Sequence, residues 1–166
     1  KEVAVILLAG GKSKSMGCEK AFLDIHGIPL IQHIYNQLSP YFKGIIISAH
    51  AKENFSFLGT TVVEDKKQGK GPLMGIASGL EASSSMINFV IACDIPEIDL
   101  SFVAEMALRS KDYDGVIPVN SKSQWEPLCG IYKKSMLSPM NSLLSAGVYR
   151  ISSVFDMCHM HYIQMK

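Results

Sequence analysis

The 166-residue chain has little charge to spare. Its 16 Lys+Arg and 15 Asp+Glu leave a net charge of +1, and charged residues make up 19% of the total. A general binder of nucleic acid or anionic membrane carries a broad basic surface, so neither class is favoured, and any cationic function must be local. Cysteine is sparse as well, with residues only at 18, 93, 129 and 158. No two of them have CxxC spacing, which removes a zinc knuckle and a thioredoxin-type redox motif. Cys93 and Cys129 fall in apolar runs and read as small core residues. A reducing compartment, and hence the cytoplasm, is the simplest expectation. No apolar run reaches bilayer length, and no signal-peptide pattern is visible. Internal repeats, low-complexity tracts, linkers, a nucleophile elbow and a Ser-His-Asp order are all missing. Residues 1–166 therefore read as one domain, and at 48% apolar residues it can bury a sizeable core.

What is present begins with a strand. Val3 to Ala9 is a continuous apolar run, as expected of a strand buried on both faces of a parallel sheet. Further strands are expected at 44–49, 60–63, 88–93, 115–119, 127–132 and 159–165. Helices are expected from Pro29 to Leu38, from Leu73 to Ala82 behind Pro72, from Leu100 to Ser110 with Asp99 as N-cap, from Lys134 to Ala146 with a break near Pro139, and over 152–158. Segment 120–126 reads as a polar loop. The methionines at 136, 140, 157, 160 and 165 read as core fillers. Strands alternating with helices predict a three-layer α/β/α fold with a mostly parallel sheet, and such sheets bind ligands beyond the carboxyl ends of their strands.

Three chemically loaded segments follow strands in this reading. The first, Gly10-Gly11-Lys12-Ser13-Lys14-Ser15-Met16-Gly17-Cys18-Glu19-Lys20, is glycine-rich and cationic. It lacks the closing GK[ST] of a Walker A loop and is not GxGxxG. It can still offer backbone donors and the Lys20 ammonium to a triphosphate; the plain alternative is a solvated surface loop. Asp94, after the strand ending Ala92-Cys93, can hold Mg²⁺ together with phosphate oxygens and waters, or it can serve as a turn cap. Asp65 precedes Gly69-Lys70-Gly71-Pro72-Leu73. There glycine allows close approach of a flat base, and the helix beginning at Pro72 presents its positive end; an ordinary loop is the alternative. His50 follows the second strand and either lines the same cleft or is exposed. His159 and His161 are better explained as a solvated strand face than as a metal pair, because no third ligand accompanies them.

Leu8-Ala9-Gly10-Gly11-x-Ser13-x-x-Met16-Gly17-x-x-Lys20 resembles the signature of the molybdenum cofactor guanylyltransferases, within the larger nucleotidyltransferase fold. The likeness continues in order through Gly27-Ile28-Pro29-Leu30, Glu64-Asp65, Gly71-Pro72-Leu73-x-Gly75, Cys93-Asp94-Ile95-Pro96, and Glu126-Pro127-Leu128 to Tyr132. The resemblance implies that Leu8, Ala9, Gly10 and Gly11 contact a guanine nucleotide through the backbone and that Lys20 binds its phosphates. It implies that Asp65 and Gly71, Pro72 and Leu73 hold the nucleoside, with Asp94 binding Mg²⁺. GTP and molybdopterin would be the substrates, and other cofactor-biosynthesis proteins possible partners. Four departures stand out. Ser15 occupies the usual arginine position, Glu19 replaces an aspartate, and His50 stands near a usual asparagine. The family's Asn-Thr-Pro segment does not occur within the 166 residues. Two other readings remain open. One is a cytidylyltransferase, in which the first motif tends to read Leu-Ala-Ala-Gly, or another small-phosphate nucleotidyltransferase. The other is a catalytically weakened nucleotide-binding accessory protein.

Overall fold

The computed structural model describes residues 2–9, 24–25, 28–49, 55, 59–64, 71–93 and 98–165. Its centre is β1 (Val3–Leu8). This strand pairs in parallel with β4 (Ile45–Ala49) on one side and with β6 (Ile87–Ala92) on the other. A two-residue pair, β2 (Asp24–Ile25) and β3 (Ile28–Pro29), forms a separate antiparallel ribbon. Strands β5 (Thr61–Glu64), β7 (Gly115–Val119), β8 (Cys129–Lys133) and β9 (Met160–Gln164) complete a seven-stranded sheet in the order β5-β4-β1-β6-β8-β7-β9. Only β8 runs antiparallel to both neighbours, while β9 pairs in parallel with β7. All other strands of this sheet therefore point the same way, and the expected mostly parallel α/β/α architecture holds.

The pure apolar run of β1 is explained by cover on both faces. Val5 and Leu7 enter one core with α1 (Leu30–Leu38) and α3 (Leu100–Arg109). Ile6 points the other way, into a second core with α2 (Pro72–Ala82), α4 (Leu137–Ser145) and α5 (Ile151–Phe155). Two small groups fix α2 against the sheet. The buried Ser48 hydroxyl donates to the Gly75 carbonyl at 3.0 Å. Gly79 lies so near β1 that a Cβ there would stand 2.5 Å from Ile6 Cγ2. Asp99 caps α3, accepting from the backbone N–H groups of Ser101 and Phe102 at 3.1 and 3.2 Å.

Several local expectations are corrected. Pro29 is the N-cap of α1 rather than its first residue. The helix expected over 134–146 begins with a 3-10 turn at Lys134–Met136, and α4 passes unbroken through Pro139. Pro139 occupies the first turn, where a backbone N–H has no helical partner to lose. Cys129 is only half-buried, unlike Cys93. Met136 and Met140 are fully buried core fillers, whereas Met157 and Met165 are exposed. His159 lies outside β9, and Tyr113 packs against both its ring and that of His161, with centroid separations of 4.7 and 4.8 Å.

Candidate nucleotide site

The parallel strands bring their carboxyl ends to one edge of the sheet. The Ala9 N–H donates to the Ser48 carbonyl at 2.8 Å, and the Cys93 N–H donates to the Leu8 carbonyl at 3.0 Å. The ends of β4, β1 and β6 are thus tied side by side, with β5 next to β4. Gly10, Gly11, Lys20, His50, Asp65 and Asp94 lie outside the described residues. Gly10, His50, Asp65 and Asp94 directly follow Ala9, Ala49, Glu64 and Cys93 in sequence, the last described residues at four neighbouring strand ends. The placement of this edge is what the fold adds to the sequence reading.

Five of the candidate residues are described. Leu8 is half-buried and Ala9 fully buried, so neither offers an exposed side chain. The Ala9 N–H is already committed to Ser48. Gly71 is the N-cap of α2 with φ 82° and ψ −179°, a conformation in which glycine escapes the strain a side chain would bring. Pro72, at the first helical position, has the fixed φ that suits it there. Both are exposed, while the Leu73 side chain is fully buried in the second core. What this segment presents is backbone: the first turn of α2, whose leading N–H groups have no partner within the helix, and its positive dipole end. Gly71 also brings α2 close to the segment before α5, since a Cβ would sit 3.8 Å from the Tyr149 carbonyl oxygen.

The same edge continues through β8, β7 and β9. The Ala92 N–H donates to the Leu128 carbonyl at 3.1 Å, bringing the Glu126-Pro127-Leu128 motif beside the end of β6. The loop between β7 and β8 is held from within. Asn120 Oδ1 accepts from the N–H groups of Lys122 and Gln124 at 2.8 and 3.0 Å. Its Nδ2 donates to Glu126 Oε2 at 2.7 Å. The Glu126 N–H donates to the Pro118 carbonyl at 2.8 Å. Burial is the main cause raising the Cys129 thiol to about 11, with the Glu126 charge adding to it, so the thiol is a poor nucleophile. The fully buried Tyr132 hydroxyl donates to the Pro127 carbonyl at 2.6 Å; burial raises its pKa far above the ordinary phenol value. It serves as an anchor for the motif.

One feature of this edge escapes a reading of 120–126 as a polar loop. Trp125 stacks on Tyr162 at 4.9 Å with 13° between the rings, and meets Phe155 edge-on at 5.4 Å. The only hint in the sequence is an aromatic residue inside a polar segment. Among the described residues, no group of three His, Cys, Asp or Glu side chains could hold a metal ion. No helix among them is long and apolar enough to cross a membrane.

Residues 5–160 match the family described as the MobA-like NTP transferase domain. A probable molybdenum cofactor guanylyltransferase of Carboxydothermus hydrogenoformans is 35% identical over 82% of this chain and 68% of its own length. Among solved structures, molybdopterin-guanine dinucleotide biosynthesis protein A from Archaeoglobus fulgidus superposes with a TM-score of 0.79 at 20% identity, over 97% of this chain and 83% of its own. The 2-C-methyl-D-erythritol 4-phosphate cytidylyltransferase from Thermus thermophilus does so with a TM-score of 0.72 at 13% identity, over 97% and 88%. At those identities the two structures show the shared fold. Order of motifs, sheet topology and similarity agree: the chain belongs to the family of MobA-like NTP transferase domains, within the nucleotidyltransferase superfamily.

Proposed function

We propose that this protein is a guanylyltransferase that joins GMP from GTP to molybdopterin. The observation carrying this reading is the convergence, on one sheet edge, of the strand ends preceding Gly10, Asp65 and Asp94 with the glycine-capped start of α2. In the reaction, a phosphate oxygen of the acceptor attacks the α-phosphorus of GTP. The bond from that phosphorus to the bridging oxygen breaks, and pyrophosphate leaves with the electron pair. The acceptor phosphate is already ionised, so no general base is needed. The chain's task is to align the two substrates and to offset phosphate charge.

Each residue has a part in that task. Lys20 provides a compact positive charge for the phosphates. The backbone of Gly10 and Gly11 lets the nucleotide approach closely. Asp65 and the first turn of α2 at Gly71, Pro72 and Leu73 hold the nucleoside, and His50, the residue after β4 in sequence, contributes to nucleotide binding. By its chemistry Asp94 would hold Mg²⁺ through one hard carboxylate donor, with phosphate oxygens and waters as the remaining ligands. Bound there, Mg²⁺ would neutralise charge on the triphosphate.

The fold is shared with cytidylyltransferases, so the base preference rests on Gly10-Gly11 and Gly71-Pro72-Leu73. A transfer assay with molybdopterin and either GTP or CTP tests it. Incorporation of GMP over CMP is expected; preferential incorporation of CMP would move the assignment to the cytidylyltransferase reading. Tight GTP binding without turnover would instead mark an accessory nucleotide-binding protein, the reading that Ser15 motivates.

A further inference from the structure

The strand order divides the carboxyl edge into two halves. The strand ends of the β5-β4-β1-β6 half precede Gly10, His50, Asp65 and Asp94 in sequence, which leaves the β8-β7-β9 half for the second substrate. Trp125 sits on this second half, bridged antiparallel to Val119 at the end of β7. It is 44% exposed, although a tryptophan usually hides most of its surface. Its ring is held in place: Tyr162 covers it in parallel, Phe155 meets it edge-on, and Tyr132 stands behind Phe155 at 6.4 Å. The backbone carrying it is equally fixed, because the Asn120 side chain bonds to residues 122, 124 and 126. Gln164 clamps the start of the loop, its Nε2 donating to the Val119 and Asn120 carbonyls at 3.1 Å each. A rigid, partly exposed indole backed by aromatic rings binds a flat π-system at low entropic cost.

We propose that Trp125, backed by Tyr162 and Phe155, is the stacking platform for the flat heterocycle of the acceptor. The proposal rests on the reading of the protein as a nucleotidyltransferase for a pterin. β7 lies two strands from β6, or roughly 10 Å at ordinary strand spacing. That offset matches an acceptor whose reacting phosphate reaches the nucleotide beyond β6 while its ring system rests farther along the edge. Stacking recognises a π-face rather than a hydrogen-bond pattern. Trp125 therefore supplies affinity and orientation, and the polar residues of the loop are left to discriminate among rings.

Trp125 is the chain's one tryptophan, so its emission reports directly on the site. Neopterin monophosphate, a stable phosphorylated pterin, is titrated into the full chain with and without GTP and Mg²⁺, and saturable quenching of the indole is expected. Pterin fluorescence anisotropy reads the variants: Trp125→Ala weakens binding about 5- to 100-fold, whereas Trp125→Phe, which keeps a π-face, stays within about 5-fold of the parent. GTP binding, measured by equilibrium dialysis, is unchanged in both variants and shows that they are folded. Equal pterin affinity in Trp125→Ala and the parent overturns the proposal, as does an indole emission that the pterin leaves unmoved. Emission that moves with protein concentration but not with pterin assigns the aromatic face to a second copy of the chain and also overturns it. Failure of the parent to bind GTP contradicts guanylyl transfer, and the pterin titration still decides the role of Trp125.

Discussion

Gly79→Ala should destabilise the protein, although alanine favours a helix interior over glycine by about 1 kcal/mol. The added Cβ would lie 2.5 Å from Ile6 Cγ2 and 3.1 Å from both Cγ1 and Cδ1. Carbon pairs prefer about 3.5–4.0 Å, so the closest contact is well inside the repulsive wall. Ile6 cannot step aside easily: its χ1 is stiff because it is β-branched, its side chain is fully buried, and β1 is paired on both edges. Relief must come from lifting α2. Overpacking of this kind costs roughly 1–3 kcal/mol, and this geometry belongs in the upper half of that range. After subtracting the propensity gain, the expected net loss is about 1–2 kcal/mol, or roughly 2–8 °C in Tm for a chain of this size. Urea unfolding of Gly79→Ala, Ile6→Ala and the double variant tests the reasoning. Ile6→Ala should cost at least about 0.5 kcal/mol less in the Gly79→Ala background than in the parent. A Gly79→Ala variant as stable as the parent, or additive effects across the cycle, would refute the close-approach argument.

Three further outcomes are expected. Asp114 accepts from the Ser135 hydroxyl at 2.7 Å and from the His159 N–H at 2.9 Å, and the His159 bond foremost, with Ser135 next, lowers its pKa below the ordinary 3.8. A carboxyl depressed in the folded state stabilises above its unfolded pKa and loses that effect as pH falls through the folded value. The stability gap between the parent and Asp114→Asn should thus be steady near neutrality and shrink below pH 3.8; a gap independent of pH in acid urea titrations would contradict this. Asp99→Ala should cost about 1 kcal/mol through loss of the α3 cap, read in thermal melts against a control substitution at exposed Lys122. Ser15→Arg should speed pyrophosphate release from GTP by adding a bidentate phosphate donor, with little effect on Tm; an unchanged rate would show that Ser15 is not a deficiency.

The parts of this molecule that the sequence reveals most clearly are those buried on both sides. β1 reads directly because helices cover both its faces and leave no place for a polar residue. The glycine at 71 and the proline at 72 mark the start of α2 because their backbone constraints are local. Orientation is a different matter: nothing within Cys129–Lys133 says that β8 runs against its neighbours, since direction is set by how the long 120–126 connection returns the chain. Methionine is equally ambiguous, and Met140 and Met157 have the same side chain with opposite fates. The ends of β5 at Glu64 and of β6 at Ala92 were legible through the apolar runs that lead to them. Trp125 was not, because its partners Phe155 and Tyr162 lie 30 and more residues away in sequence and meet it only through the sheet.

The central claim is that Asp94, next in sequence after Cys93, serves nucleotidyl transfer. The most direct measurement is Mg²⁺-dependent pyrophosphate release from GTP with molybdopterin supplied, for the parent chain and for Asp94→Ala at matched fold and GTP saturation. Measurable turnover by the parent and a loss of about 100-fold or more in the variant are predicted. Equal rates in the two proteins would contradict the assignment.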